Sequence, residues 1–391
     1  MPPNLLELPP LALYLHFPWC VRKCPYCDFN SHPMPGKMPE GAYIQALLAD
    51  LESALPYLSG RKPISLFLGG GTPSLFSPAA IGRLLEAIHA RLPWQEGAEI
   101  TMEANPGTLA AANFAALRSV GINRLSLGIQ SFNATHLKIL ERIHTPEEAC
   151  RAAELAGRHF KRFNLDLMYG LPGQTQELAL ADVETALSFA PTHLSCYQLT
   201  LEPETRFGAC PPQDMPEDDL SADMQEAIES RLAKAGFEHY ETSAFARPGQ
   251  QCQHNLNYWQ FGDYLGIGAG AHSKFSLEGR IFRQVRWPQP EDYLQKAVIG
   301  QAIQEENEVE KAELPLEFMM NTLRLNQGFP RSLFAARTGL PLAVVEPALQ
   351  QAVSEGWLVM NDQHIEPTRR GRRFLNHVLE RWLPNVAEMT D

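Results

Sequence analysis

The 391-residue chain has no apolar run long enough to cross a bilayer, which argues against a membrane-spanning helix. Its start, MPPNLLELPP, lacks the basic n-region and the extended apolar h-region of a secretory signal, so a cytoplasmic, reducing location is expected. Basic charge is scarce. The 33 Lys and Arg against 45 Asp and Glu leave a net charge of -12, whereas a grip on phosphates needs clustered cations that outnumber the local acids. No nucleic-acid partner is therefore expected. Internal repeats and low-complexity tracts are missing too. Cysteine is not arranged for disulfides: the seven residues are an odd number, and in a reducing compartment thiols serve as ligands, nucleophiles or inert core. Cys150, Cys196, Cys210 and Cys252 are widely separated and read as buried bystanders.

What is present is a strand-and-helix rhythm. Apolar β-rich runs at Leu11–Phe17, Ile64–Leu68, Glu99–Glu103, Arg124–Ile129, Phe163–Met168 and His193–Thr200 alternate with helix-like segments near Ala42–Leu58, Pro78–Leu92, Leu109–Val120, Pro146–Ala156 and Leu178–Phe189. Strand then helix, repeated, predicts an α/β fold with a parallel sheet and crossover helices on its outer face. ISLFL and RLSLGI read as strands buried on both faces. Polar and Gly-rich residues follow the strands directly, as HFPWC, GGGTP, EANPG, QSF and YGLPG. The carboxyl ends of parallel strands are where such sheets bind ligands, so these ends should form one site. Residues 1–208 make the first segment. Residues 209–306 read as an extension, with a Pro- and acid-rich CPPQDMPEDD, a helix near Leu220–Ala235, a further strand in HYETSAFA and a glycine-rich GDYLGIGAGAHSKF. Residues 307–391 carry three helix patterns, a short ribbon in GWLVMNDQHIEPT and a basic helix through Arg369–Trp382, which suggests a mainly helical, winged-helix-like domain.

Three cysteines, Cys20, Cys24 and Cys27, crowd into HFPWCVRKCPYCDF. Pro18 and Pro25 favour a wrapping loop over a helix, and such a loop can turn three thiolates inward. A structural zinc site would need a fourth ligand, with His16 and His32 the near candidates, and a redox pair would use only Cys24 and Cys27. A 4Fe-4S cluster fits better, because three thiolates leave one iron open to a small molecule.

The CxxxCxxC loop and the strand-helix units resemble the radical S-adenosylmethionine (SAM) superfamily over most of the chain. That resemblance implies a partial (β/α)6 TIM-like barrel, a 4Fe-4S cluster on Cys20, Cys24 and Cys27, and SAM chelated at the open iron. GGGTP, with Gly70, Gly71 and Thr72, matches the element that approaches the methionine amino group; no Gly-Lys-Ser/Thr follows, so it is not a P-loop. Glu103 matches the acid that meets the ribose hydroxyls. Gln130, Arg142 and Asp166 match polar cofactor contacts, Tyr14 a tyrosine beside the methionine group, and Tyr26 a ring that packs on adenine; a structural role would explain either tyrosine as well.

YLHFPWCVRKCPYCDF, FLGGGTPSLF, GINRLSLGIQSF, NLDLMYGLPGQT and HNLNYWQFGDYLGIGAGAHS together resemble the oxygen-independent coproporphyrinogen III oxidase-like group. True dehydrogenases of that group carry a fourth cysteine two residues after the third, where this chain has Phe29, and a longer N-terminal arm. Both departures resemble instead the HemW heme-chaperone branch, which implies binding of heme and its delivery to apo-hemoproteins of the respiratory chain. An unspecified electron donor and a membrane encounter through the acceptor follow from that branch. The alternative is an anaerobic coproporphyrinogen III dehydrogenase; a structural zinc protein that binds a partner through its winged helix is a third reading. HNLNYW is the motif that the heme-chaperone branch shares, and the resemblance implies His254, in a polar loop, as a heme contact, with His272 a weaker second; alone, such a histidine reads as exposed and inert, although neutral imidazole is a good axial ligand. RRGRR at Arg369–Arg373 invites a DNA reading that the overall charge opposes.

Overall fold

The strands alternate more strictly than ISLFL and RLSLGI suggest. In a computed structural model, which describes residues 7–34 and 36–383, Leu66, Leu68, Leu125, Leu127 and Ile129 face the helices and share one apolar core with them. Ser126 on the opposite face hydrogen-bonds side chains of the neighbouring strand. Both faces are buried, as expected, but they differ in chemistry: one face is apolar and the other polar, as a sheet that encloses a functional interior requires. The outermost termini, residues 1–6 and 384–391, lie outside the described residues, so the reading of the N-terminal stretch and the limits of the first and third segments are not addressed there.

Six strands, β1 (Leu11–Phe17), β2 (Ser65–Gly70), β3 (Glu99–Ala104), β4 (Arg124–Gln130), β5 (Arg162–Tyr169) and β6 (His193–Gln198), lie side by side in chain order and parallel. A doubly wound sheet would reverse its order at a switch point. Consecutive order keeps every crossover helix on one face and curls the sheet into part of a barrel. The crossovers are α1 (Glu40–Ala54), α2 (Pro78–Arg91), α3 (Ala111–Ser119), α4 (Pro146–His159) and α5 (Gln176–Ser188). Local sequence starts them: Ser77 caps α2 through the Ala80 N–H, and Thr145 with Glu148 forms a capping box on α4.

Residues 209–306 extend this sheet at both edges. After α6 (Asp218–Lys234), HYETSAFA forms two strands instead of the one expected, β7 (Glu238–Glu241) and β8 (Ala244–Ala246), a hairpin added antiparallel to β6. Helix α7 (Gln253–Trp259) then leads to β9 (Asp263–Ile267), which pairs parallel with β1. Antiparallel strands β10 (His272–Leu277), β11 (Arg280–Arg286) and β12 (Ile303–Glu308) complete a twelve-stranded sheet, with α8 (Pro290–Ala297) between the last two. Placing β9 beside β1 depends on buried charge. Asp263 binds Lys274 Nζ at 3.0 Å and Arg61 Nη1 at 2.6 Å, with both aspartate and lysine buried.

The C-terminal part has its own core around Phe318, Phe329, Phe334 and Leu349. Helices α9 (Leu314–Thr322), α10 (Arg331–Thr338) and α11 (Glu346–Ser354) pack with a ribbon, β13 (Leu358–Met360) and β14 (His364–Pro367), joined at its edge by Phe329–Pro330. The single basic helix expected through Arg369–Trp382 is interrupted at Phe374, with φ -116 and ψ 40, and splits into short pieces. Within it Arg369 and Arg373 pair with Glu226 of α6 and Arg370 stacks 3.8 Å over Trp357. Arg369 and Arg373 thus tie the domain to α6, while Arg370 packs within it. Among the described residues no helix is long and apolar enough to cross a membrane.

Candidate functional site

One cavity of about 330 Å³ opens at the carboxyl ends of the parallel strands. It is lined by Cys20, Cys24, Cys27, Tyr26, Gly70, Gly71, Thr72, Glu103, Gln130, Arg142 and Asp166, so these residues singled out from the sequence meet in one place. Tyr14 and His254 do not line it.

The cysteine loop is held to the glycine loop by main chain. Gly71 N–H donates to the Phe17 carbonyl at 2.7 Å and Thr72 N–H to that of Trp19 at 2.8 Å, while short parallel pairing of Trp19–Cys20 with His32–Pro33 closes the loop. Each sulfur has a polar neighbour: Thr72 Oγ1 donates to Cys20 Sγ at 3.4 Å, Arg142 Nη1 to Cys24 Sγ at 3.5 Å, and Ser31 Oγ lies 3.8 Å from Cys27 Sγ. Among the described residues the set of three potential ligand atoms lying within 4.8 Å of one another is Glu99, Cys252 and His254. The loop thiols are not gathered as closely as that set, yet all three line one space, an arrangement open to a cluster whose corners each take one sulfur.

His16 is no fourth ligand. Its Nε2 lies 2.8 Å from the Asn30 carbonyl, which can only accept, so Nε2 carries the proton and Nδ1 accepts from Tyr14 O–H at 2.8 Å. Burial keeps the ring neutral, with a pKa lowered to about 4. Tyr14, read as either a tyrosine beside the cofactor or a structural one, stacks on Phe67 and donates to His16. His32 is engaged by Asn30 Oδ1 at 3.1 Å.

Gly70 and Gly71 were read as backbone that approaches a ligand, and packing accounts for both, as it does for Gly69, where a Cβ would lie 2.6 Å from Phe67 Cε1. Gly70 has φ +105, and a Cβ there would lie 2.5 Å from His16 Cε1. A Cβ on Gly71 would lie 2.7 Å from the Trp19 carbonyl oxygen. Gln130 has φ +68 without being glycine, at a register shift between β4 and β5 that turns its side chain into the cavity. Strain of this kind is retained where a site over-determines the backbone. Arg142 Nη2 donates to the Gly128 carbonyl at 2.7 Å, which fixes the guanidinium beside Cys24.

Two carboxyls share the cavity. Glu103 Oε2 accepts from Gly70 N–H at 3.1 Å, and burial together with the nearby Asp166 pushes its pKa up to about 8. Asp166 accepts from Asn164 Nδ2 at 2.7 Å and Ser126 Oγ at 3.1 Å. A carboxyl whose folded pKa exceeds its unfolded value costs nothing below the unfolded value, near 4, and an increasing amount as pH rises toward 8. Glu103→Gln in cofactor-free protein should therefore match the wild type near pH 4 and exceed it by about 1–3 kcal/mol near pH 8. Denaturant titrations across that range measure the gap, and parallel profiles would contradict the assignment.

Tyr26 packs near Phe207, Met168 and Leu199 at the cavity wall. Sequence reasoning missed Met168, Tyr197 and the main chain through Thr200, which also line the cavity, and Ser126, Asn164 and Ser195 beneath it. The signal was the polar residue at every second position of β4, β5 and β6.

His254 is a correction. HNLNYW is helical, not a loop, and His254 is 5% exposed and stacked on Phe67 with ring centroids 3.9 Å apart. Its Nδ1 lies 3.3 Å from Glu99 Oε1 and 2.9 Å from Cys252 Sγ. Glu99 begins β3, so this helix plugs the amino end of the barrel, away from the cavity. Burial alone would raise the Glu99 pKa, but His254, Arg124 and Arg162 hold it well below the usual carboxylate range. Those guanidiniums also oppose a cation on Glu99, Cys252 and His254, and the imidazole is buried against Phe67. His272, on β10, likewise does not line the cavity.

The radical SAM superfamily profile matches residues 14–186, and the HemN C-terminal domain profile matches residues 309–374. The chain is 49% identical over 381 residues to the heme chaperone HemW of Escherichia coli K12, covering 97% of this chain and all of that protein. It is 34% identical to HemW of Lactococcus lactis over 379 residues, covering 96% and 97% of the two chains. The solved structure of E. coli coproporphyrinogen III oxidase, HemN, a radical SAM enzyme, superposes with a TM-score of 0.81 at 23% identity, over 96% of this chain and 90% of that one.

Proposed function

The chain belongs to the HemW family within the radical SAM superfamily, and from that membership we propose that it is a heme chaperone: it binds heme and hands it to apo-hemoproteins of the respiratory chain in the cytoplasm, meeting the membrane only through its acceptors. The family implies a 4Fe-4S cluster and SAM. The observation that carries the reading is the convergence of Cys20, Cys24 and Cys27 on one cavity with Gly70, Thr72, Glu103, Arg142 and Asp166.

Cys20, Cys24 and Cys27 would hold the cluster, with Thr72, Arg142 and Ser31 donating to the sulfurs. When bound, the cluster supplies the electron for cleavage of the SAM carbon-sulfur bond, drawn from a donor outside this chain. Gly70–Thr72 present main chain to the methionine end of SAM. Glu103 would accept hydrogen bonds from its sugar, Gln130, Arg142 and Asp166 would hold its polar groups, and Tyr26 would cover its base. The decarboxylating alternative lacks its fourth cysteine: Phe29 stands there, 57% exposed.

The test is heme transfer. Anaerobically reconstituted protein loaded with heme and mixed with an apo-hemoprotein should give the acceptor's holo spectrum and form no decarboxylated product from coproporphyrinogen III. Turnover of coproporphyrinogen without heme retention would overturn the reading.

A further inference from the structure

Phe29, Val21 and Tyr197 are large apolar or aromatic side chains left 57%, 48% and 44% exposed. Phe29, on the cysteine loop, and Tyr197, on β6, both line the cavity, and Val21 adjoins Arg22, which also lines it. Single exposed apolar residues are ordinary on a protein surface; three around one mouth mark a binding rim.

Charge on the same loop states what the rim fits. In a chain of net charge -12, the exposed Arg22 and Lys23 lie beside Phe29, and Lys23 Nζ donates to the Phe29 carbonyl at 3.1 Å. Asp28 is the one acid among residues 21–29. An occupant with a flat apolar face and a pair of carboxylates at one edge meets both features. The cavity of about 330 Å³ is near the lower limit for a small-molecule pocket, so a nucleoside-sized metabolite fills it and a macrocycle must lie across its mouth.

Resting on the heme-carrying reading above, we infer that heme binds on this rim, with one porphyrin face on Phe29, Val21 and Tyr197 and its propionates toward Arg22 and Lys23. This places the cargo over the cofactor cavity, at the opposite end of the barrel from His254. It is held by its face and its carboxylates, with no side chain needed on the iron, which suits a ligand that must leave. Phe29 then has a use at the position where the dehydrogenases keep a cysteine.

The test is an anaerobic titration of cluster-reconstituted protein with heme, and in parallel with zinc protoporphyrin IX, followed in the Soret band. Phe29→Asp should raise the heme Kd at least tenfold and Arg22→Glu about three- to tenfold, while Val298→Asp, at an exposed apolar residue on a distant turn, should leave it unchanged. Zinc protoporphyrin should bind within a few-fold of heme. Wild-type Kd values for both Phe29→Asp and Arg22→Glu would overturn the inference while leaving heme carriage intact. Absence of heme binding by the wild type would instead overturn the functional reading beneath it. The reduced-cluster EPR signal of each variant is recorded first; should Phe29→Asp lose it, Arg22→Glu and the zinc porphyrin decide.

Discussion

Glu99→Ala is expected to destabilise the protein by about 3–5 kcal/mol, the cost of leaving buried charge without its partner. The Glu99 side chain is 1% exposed and takes Arg162 Nη2 at 2.9 Å; the Arg124 side chain, 3% exposed, lies 3.9 Å away. The same carboxylate accepts from Gln253 N–H at 3.0 Å and from His254. Truncation therefore strands two guanidiniums and releases the N-terminus of α7 together. Glu99→Gln keeps acceptors for Gln253 and His254 but not the charge, and should cost less. Denaturation midpoints compare the two, and a loss below about 1 kcal/mol for the alanine variant would show that the barrel floor does not depend on this network. The effect on cluster assembly should be small in protein that remains folded, because Glu99 lies at the other end of the strands.

Gly70→Ala should abolish the response to SAM while leaving the cysteines in place. An alanine at φ +105 is strained, and its methyl would enter the His16 ring, which cannot turn aside because Tyr14 and Asn30 hold both nitrogens. The glycine loop must then shift, carrying with it the N–H that Glu103 accepts. SAM binding should fall by at least a hundredfold. Calorimetry with SAM on the reconstituted variant measures it, and a Kd within threefold of wild type would mean the loop does not frame the site. His16→Ala in the same background opens space for the methyl and should recover part of the affinity.

Much of this architecture was legible. Strands β1 to β6 follow from apolar runs closed by Gly, Pro and polar residues, and the helix starts from Ser77 and Thr145. The cavity was legible because its residues sit at consecutive strand ends, where topology gathers them without knowledge of any side-chain contact. What escaped depends on pairs distant in sequence. β9 joins β1 through Asp263, whose partners Arg61 and Lys274 no local pattern links to it. HNLNYW looked like a loop because of its two asparagines and its histidine; yet Asn257 caps the Asp263 carbonyl at 2.8 Å and His254 packs on Phe67. The polar face that makes the motif look exposed is the face turned into the polar barrel interior.

The most direct measurement is EPR of the anaerobically reconstituted, dithionite-reduced protein before and after addition of SAM. The account predicts a 4Fe-4S signal whose line shape changes with SAM in the wild type, and disappears when Cys24 is replaced by serine. A preparation that binds zinc in place of iron, or a cluster signal indifferent to SAM, would contradict it.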